Sequence, residues 1–445
     1  MDLETVIDRN GFGGLPLRVA LLGLLALVLD GFDIQAVAFA APALVGAWHI
    51  QRADLTGVLA AGLVGLIIGA VGLGRAGDLW GRRPTLIAST LLFAAASALC
   101  ARADSLAKLA VWRFVTGLGL GAPLPLVASM IAEFTPRRWR SLGVALGTIG
   151  VPLGGLAGAA LAQDIVPRYG WQSIFVAGAV LPAALAVVLL VWLPESPKFL
   201  ARQAHGGEKL RRLLARLAPD VDWSRTRIEF AEAAATARVR LWTLLQRPYR
   251  ADTLALWLGF LSNLIVVYVF FNWLPTVLGG VGLPVAAAIR GSLAFNLGGM
   301  AGSLASAGLI ARYGSRYVAR VIAAGSILST FAIGQQAVFT AGAAAAGWTL
   351  YATVALSGMC VNAMQILFYI VATHAYPTAL RSAGVGSCGA VGRVGGLLST
   401  AIGGAMIAAG LSGATFFAVL AAALLFALVA AFALRTHVPA GAQDG

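Results

Sequence analysis

Apolar runs of about 18–25 residues recur roughly twelve times along this chain, and about 20 residues of helix cross a bilayer. The first six lie near residues 17–44, 55–74, 84–101, 107–131, 142–162 and 171–193. Six more lie near 253–278, 288–311, 318–340, 347–373, 383–409 and 412–434. Runs this long and this regular read as spanning helices. The composition agrees, with 59% hydrophobic and 11% charged residues, where a soluble domain carries about 25% charged. The fold class is therefore an all-α integral membrane protein with twelve transmembrane helices. Its expected organisation is a six-helix bundle over 1–193, a cytoplasmic linker with amphipathic helices over 194–250, and a second six-helix bundle over 251–445.

A net charge of +14 would point to nucleic acid in a soluble protein. Here the basic residues sit in short loops between apolar runs, and no basic patch with interleaved aromatics stands apart from them. One side holds Arg75, Arg82, Arg83, Arg137, Arg138, Arg140, Arg312, Arg316, Arg320 and Arg381; the other holds Arg52, Arg102, Lys108, Arg168 and Arg290. The richer side also owns the basic central loop, so both termini are expected in the cytoplasm of a bacterial inner-membrane protein. Residues 1–16 lack the basic start and cleavage site of a signal peptide, so the first span is expected to remain in the protein. Helical spacing of apolar and basic residues in the central loop fits surface helices against the inner leaflet, or a solvated linker. Cys100, Cys360 and Cys388 lie in apolar runs without ligand spacing, so no disulfide framework, metal site or cofactor is expected.

The first run contains Asp30 and Asp33. A carboxylate near the bilayer centre costs roughly 2.5–3.5 kcal/mol, so such residues face a bundle interior or an aqueous cavity. Three residues apart, the two lie on neighbouring faces of one helix, and Gly31 leaves room for close approach. They read as a proton or substrate site in a transport path, or as a polar pair satisfied by a partner helix.

An internal repeat joins the two sets of six. The segment from Glu133 to Val144, with Pro136, Arg140, Ser141 and Gly143, matches the segment from His374 to Val385, with Pro377, Arg381, Ser382 and Gly384, without a gap. The loop Asp78-Leu-Trp-Gly81-Arg82-Arg83 has a weaker echo in Ala311-Arg-Tyr-Gly314-Ser-Arg316. Two related halves joined by a cytoplasmic loop is a transporter plan with its site near the midplane.

These motifs resemble the major facilitator superfamily. Gly74-Arg-Ala-Gly77-Asp78-Leu-Trp-Gly81-Arg82-Arg83 is similar to its signature loop between the second and third helices. The resemblance implies a conformational latch of Gly74, Asp78, Gly81, Arg82 and Arg83, with Asp78 meeting a helix N-terminus of the second half. Ala311 replaces the acid in the second copy, which implies an asymmetric latch. Within the superfamily, Asp30-Gly31-Phe32-Asp33 followed by Ala41-Pro42-Ala43-Leu44 is similar to the first helix of the aromatic acid:proton symporters. Arg113 in Arg-Phe-Val-Thr-Gly117 and Arg393 in Gly392-Arg393-Val-Gly395-Gly396 resemble the fourth and eleventh helices of that family. Pro194-Glu195-Ser196-Pro197 is shared with sugar porters and keeps a sugar or polyol porter open.

Arg393 has Pro152 at the matching position of the first half, so the repeat does not demand it. It lies about ten residues, or roughly 15 Å, into its run. Its planar fork fits a carboxylate with two hydrogen bonds; the alternative is an ion pair with Asp30 or Asp33. Arg113 and Asp33 have similar estimated depths and form a gating and coupling pair or a structural one. Tyr268, Phe271, Asn272 and Trp273 on the seventh run, with Asn362, Gln365, Phe368 and Tyr369 on the tenth, combine aromatic faces with amides, as a flat aromatic ligand requires. Core packing remains the competing role for each. Gly117, Gly119 and Gly121 sit inside a span with no preceding strand, so they read as helix packing rather than a phosphate loop. Gly150-Val-Pro152-Leu-Gly154-Gly155 reads alike, and His374 as a structural helix end.

The expected function is a monomeric secondary transporter importing an aromatic carboxylate with protons. Arg393 and Asp30 with the aromatic and amide residues form the substrate set; Asp30, Asp33 and Arg113 form the proton set. Another organic-acid porter, a sugar porter and a non-transporting membrane sensor are the alternatives. No nucleophile–base set appears, which argues against an enzyme.

Overall fold

In a computed structural model, residues 7–8, 13–136, 140–202, 207–217, 241–339 and 347–440 are described. Among them, twelve helices are long and apolar enough to cross a membrane. The first six are Leu15–Trp48, Arg52–Trp80, Arg82–Cys100, Leu106–Phe134, Ile149–Tyr169 and Gln172–Trp192. The second six are Arg250–Gly280, Val285–Tyr313, Ser315–Gln336, Trp348–Ala375, Ala383–Ala408 and Gly413–Ala433. Helices close their own backbone hydrogen bonds, which is what hydrocarbon demands. Several outrun their apolar segments. The first has 34 residues, about 51 Å of helix against a hydrocarbon core of about 30 Å. Helical pairing does not stop at the membrane edge. The fourth span breaks at Gly121 and restarts at Pro123, because proline cannot donate into a continuing helix but suits a first turn.

Contacts divide the chain into two units. One comprises Met1–Asp33, Ala61–Gly154 and Phe175–Ala235; the other comprises Ile34–Ala60, Gly155–Ile174 and Thr236–Gly445.

Both units pack their spans through glycine. In the first, a Cβ on Gly65 would lie 2.1 Å from the Phe114 carbonyl oxygen, and one on Gly117 2.1 Å from that of Gly62. On the first span, Gly31 would place a Cβ 2.0 Å from the Val151 carbonyl oxygen, and Gly154 one 1.9 Å from that of Val28. The second unit repeats the pattern six spans later: Gly298 against the carbonyl of Ala355, and Gly358 against that of Phe295. These are backbone-on-backbone contacts of the small-residue kind, as expected for the glycines of the fourth and fifth spans.

The linker differs from expectation. Helix Gly207–Leu217 buries Leu210, Leu213, Leu214 and Leu217 in the same apolar cluster as Phe134, Leu193 and Leu200. Its apolar face is covered by protein, not by the inner leaflet. The rest of the basic loop, 218–240, lies outside the described residues, as do Arg137 and Arg138.

Candidate functional site

In the first unit, Asp33 is fully buried and Arg113 is 5% exposed. The guanidinium donates from Nη1 to Asp33 Oδ2 at 2.7 Å and from Nη2 to the Asp33 carbonyl oxygen at 3.1 Å. Ser97 donates to Oδ1 at 3.3 Å. Gly62 on the second span lies against the guanidinium, where a Cβ would stand 3.6 Å from Nη2, at ordinary contact distance. The similar depths expected of Asp33 and Arg113 thus bring them together. A buried pair of this sort is costly to make and more costly to break. Asp30, one turn earlier, is 4% exposed.

In the second unit, Arg393 is half-buried near the middle of the eleventh span. Among the described residues of this unit, no carboxylate lies within ion-pair distance of it. Two tyrosines flank it. The Tyr369 hydroxyl stands 3.9 Å from a Cβ built on Gly389, one turn before Arg393, and interacts electrostatically with the guanidinium. The Tyr268 ring lies 3.2 Å from a Cβ built on Gly396, one turn after it. The same unit holds amides on the seventh and tenth spans: Asn263 donates to Gln365 Oε1 at 2.9 Å, and Asn362 to the Gly358 carbonyl at 2.9 Å. The Gln365 amide nitrogen is buried without a hydrogen-bond partner among the described residues.

The other residues expected to line the site lie deeper. Trp273 and Phe368 are fully buried, Asn272 is 3% and Phe271 6% exposed. Phe368 packs on Phe260 and Phe271 edge-on against Phe295. Gly403 leaves the indole its room, a Cβ there lying 2.3 Å from the ring. A further polar contact belongs to this unit: Gln35 of the first span and Asn296 of the eighth, both buried, exchange amide hydrogen bonds of 3.1 and 2.9 Å. Neither residue stood out in the sequence, since single amides in apolar runs carry no spacing signal.

The loop between the second and third spans turns at Gly81, φ 107°. Glu195 Oε1 accepts from the backbone N–H groups of Arg82 at 3.0 Å and Arg83 at 3.2 Å. The Arg82 guanidinium pairs with Glu133 and donates to Ser196 Oγ at 2.6 Å, while Ser196 donates to Glu133. Asp78, its side chain 66% exposed, is 3.7 Å from Arg82; Gly74 is half-buried. The Pro194-Glu195-Ser196-Pro197 motif is therefore consumed in capping the third span, a use that carries no information about a sugar. His374 ends its helix exposed, its Nδ1 2.9 Å from the Ile370 carbonyl.

With that geometry in view, the model of the Major Facilitator Superfamily matches residues 23–341. The chain belongs to the major facilitator superfamily. Several of its curated relatives are named as transporters of aromatic acids. The 4-hydroxybenzoate transporter PcaK of Pseudomonas putida is 35% identical over 401 residues, 89% of this chain and 88% of that protein. The gallate transporter of Pseudomonas putida is 34% identical, covering 91% of this chain and 88% of its own length. Among solved structures, a crystal structure of a D-xylose-proton symporter superposes with TM-score 0.71 at 16% identity, covering 96% of this chain and 99% of that one. That likeness speaks for the fold alone. A major facilitator protein of this kind is a multi-pass membrane transporter and not an enzyme.

Proposed function

We propose that this transporter imports an aromatic carboxylate of the benzoate or hydroxybenzoate class with protons, by alternating access across the bacterial inner membrane. The observation that carries the reading is Arg393, a membrane-embedded guanidinium with no carboxylate partner in its own unit among the described residues, set between two tyrosines. An arginine with no carboxylate beside it in its own unit is matched by a substrate that brings one. Relatives named for 4-hydroxybenzoate and gallate support the same ligand class. Tyr268, Tyr369, Asn362 and Gln365 are the side chains best disposed to meet a flat ring. Phe271, Asn272, Trp273 and Phe368 stand behind them as its support, and Asp30 completes the substrate set.

Proton coupling falls to Asp30, Asp33 and Arg113. A proton on Asp33 removes the charge that balances Arg113, so protonation and the arrangement of these spans are linked, and linkage runs in both directions. The protein works as a monomer with both termini cytoplasmic, in the halves 1–193 and 251–445 joined by 194–250. The latch of Gly74, Asp78, Gly81, Arg82 and Arg83 governs switching between the two access states.

Proteoliposomes test this directly. Arg393→Ala should abolish binding of 4-hydroxybenzoate. Asp33→Asn should still exchange the acid across the membrane but fail to concentrate it against a pH gradient. Accumulation by both Asp30→Asn and Asp33→Asn would remove proton coupling from the first span.

A further inference from the structure

A second constellation lies about 21 Å further along the eleventh span, fourteen residues beyond Arg393 at Ile407. A cavity of about 680 Å³ opens there, bordered by Arg52, Thr276, Gly280, Ile407, Leu411 and Phe416. All of these belong to one unit. Arg52 also borders two adjoining cavities of about 340 and 140 Å³.

The chemistry of the wall is specific. The Arg52 guanidinium stands over the C-terminal end of the seventh span, its Nη1 2.9 Å from a Cβ built on Gly280. The partial negative charge of a helix C-terminus holds a cation without neutralising it. No carboxylate lies within ion-pair distance of Arg52 among the described residues. Thr276 is 2% exposed, and its hydroxyl has no hydrogen-bond partner among the described residues. The twelfth span starts at the same cavity, with Ser412 as its cap and Gly413 and Ala414 on the wall. Its first N–H groups favour an anion. Ile407, Leu411 and Phe416 supply an apolar face.

We propose that this cavity is a second, weaker docking site for aryl carboxylates on the outer face, where the acid is held before it reaches Arg393. The proposal rests on the transport reading for its ligand class and for which face is outside. The carboxylate meets Arg52 and the start of the twelfth span, while the ring lies on the apolar face. The separation from Arg393 makes the two sites independently occupied.

The test is protection of a single thiol. The native cysteines are all buried, whereas Leu411 is 38% exposed, so Leu411→Cys offers the reactive group to a membrane-impermeant maleimide in intact cells. We expect 4-hydroxybenzoate to slow labelling about fivefold and 4-hydroxybenzamide to leave it unchanged, as a charge-assisted contact requires. Protection should survive Arg393→Ala and vanish with Arg52→Gln. In uptake assays Arg52→Gln should raise KM about tenfold with kcat unchanged, the scale of one lost hydrogen-bonded charge contact. The proposal is overturned if Leu411→Cys is not labelled from outside, or if the amide protects as well as the acid. It is equally overturned if protection is absent, survives Arg52→Gln or is lost with Arg393→Ala. Protection by an acid that is not transported would leave the docking site standing and remove the transport reading. Transport without protection would do the reverse.

Discussion

The loops after the second and eighth spans share a pattern, Gly81-Arg82-Arg83 and Gly314-Ser315-Arg316, and both turn on a glycine of positive φ, 107° and 76°. What clasps them differs. In the first, Glu195, just past the sixth span, takes the backbone N–H groups, and Arg82 is tied to Glu133 and Ser196. In the second, the segment just past the twelfth span does the work through its backbone. Ser315 N–H donates to the Val438 carbonyl at 2.9 Å, and Val438 N–H to Ser315 Oγ at 2.8 Å. Asp252 anchors that segment, accepting from Arg435 N–H, Thr436 N–H and the Thr436 hydroxyl at 2.7, 3.3 and 2.6 Å. The turn and the place of the clasp recur in both loops. The interactions that close it are charge in one half and main chain in the other.

The sharpest way to break this comparison is to remove the charge. Arg82→Ala takes the guanidinium from Glu133, whose side chain is 7% exposed; losing one partner of such a pair costs about 3–5 kcal/mol. Arg316→Ala, at the exposed equivalent of Arg83, should cost under about 0.5 kcal/mol. Thermal unfolding of both variants in detergent decides it, and equal losses would mean that the second clasp is electrostatic too.

A smaller effect is expected at Asp252. Asp252→Ala strands three donors and should cost about 1–3 kcal/mol, with faster amide exchange over 435–438. The same segment should respond to pH. Burial first, and the charge of Arg316 second, push the His437 imidazole below its ordinary 6.5, and its ring lies 3.3 Å from Ser315 Oγ. The undocked segment therefore binds a proton more readily than the docked one. Docking is complete above the ordinary value and weakens as pH falls below it. Exchange at 435–438 should rise in acid relative to His437→Gln, while 195–196, with no histidine, serves as the control.

Asp78→Asn, like Arg316→Ala, should change stability little. An exposed pair at this distance contributes under about 1 kcal/mol, so the thermal midpoint should hardly move. Transport should nevertheless fall sharply at unchanged ligand binding if the latch role is right. A large loss of stability would instead make Asp78 a third part of the first clasp.

Much of this was legible in the sequence because it is periodic or local. Apolar length located the spans, and the glycines of the fourth and fifth runs marked where those two spans pack, though those of the eighth and tenth did not stand out. Depth along two helices was enough to pair Asp33 with Arg113. The clasps were not legible, because Glu195 is 113 residues from Arg82 and Asp252 is 184 from Thr436, and a lone carboxylate at a span end has no spacing to betray its partner. Nor do aromatic residues announce their orientation. Tyr369 and Phe368 are neighbours, yet only the former is turned toward Arg393's turn of the eleventh span. Leu210, Leu213, Leu214 and Leu217 make an apolar stripe that fits lipid or protein equally well until its cover is seen.

The glycine contacts between spans carry a lesson for anyone who wishes to make this transporter hardier for purification. Replacing helical glycine by alanine ordinarily gains about 0.5–1 kcal/mol, and 54 glycines look like generous material. At Gly31, Gly117, Gly154, Gly298 and Gly358 the new methyl would meet a neighbouring carbonyl oxygen at 1.8–2.1 Å, and two helices would have to be driven apart to admit it. At Gly46, Gly57 and Gly72 nothing stands within 4 Å. A stabilised variant is to be sought at these three positions, and the spans should keep their bare backbones everywhere they touch.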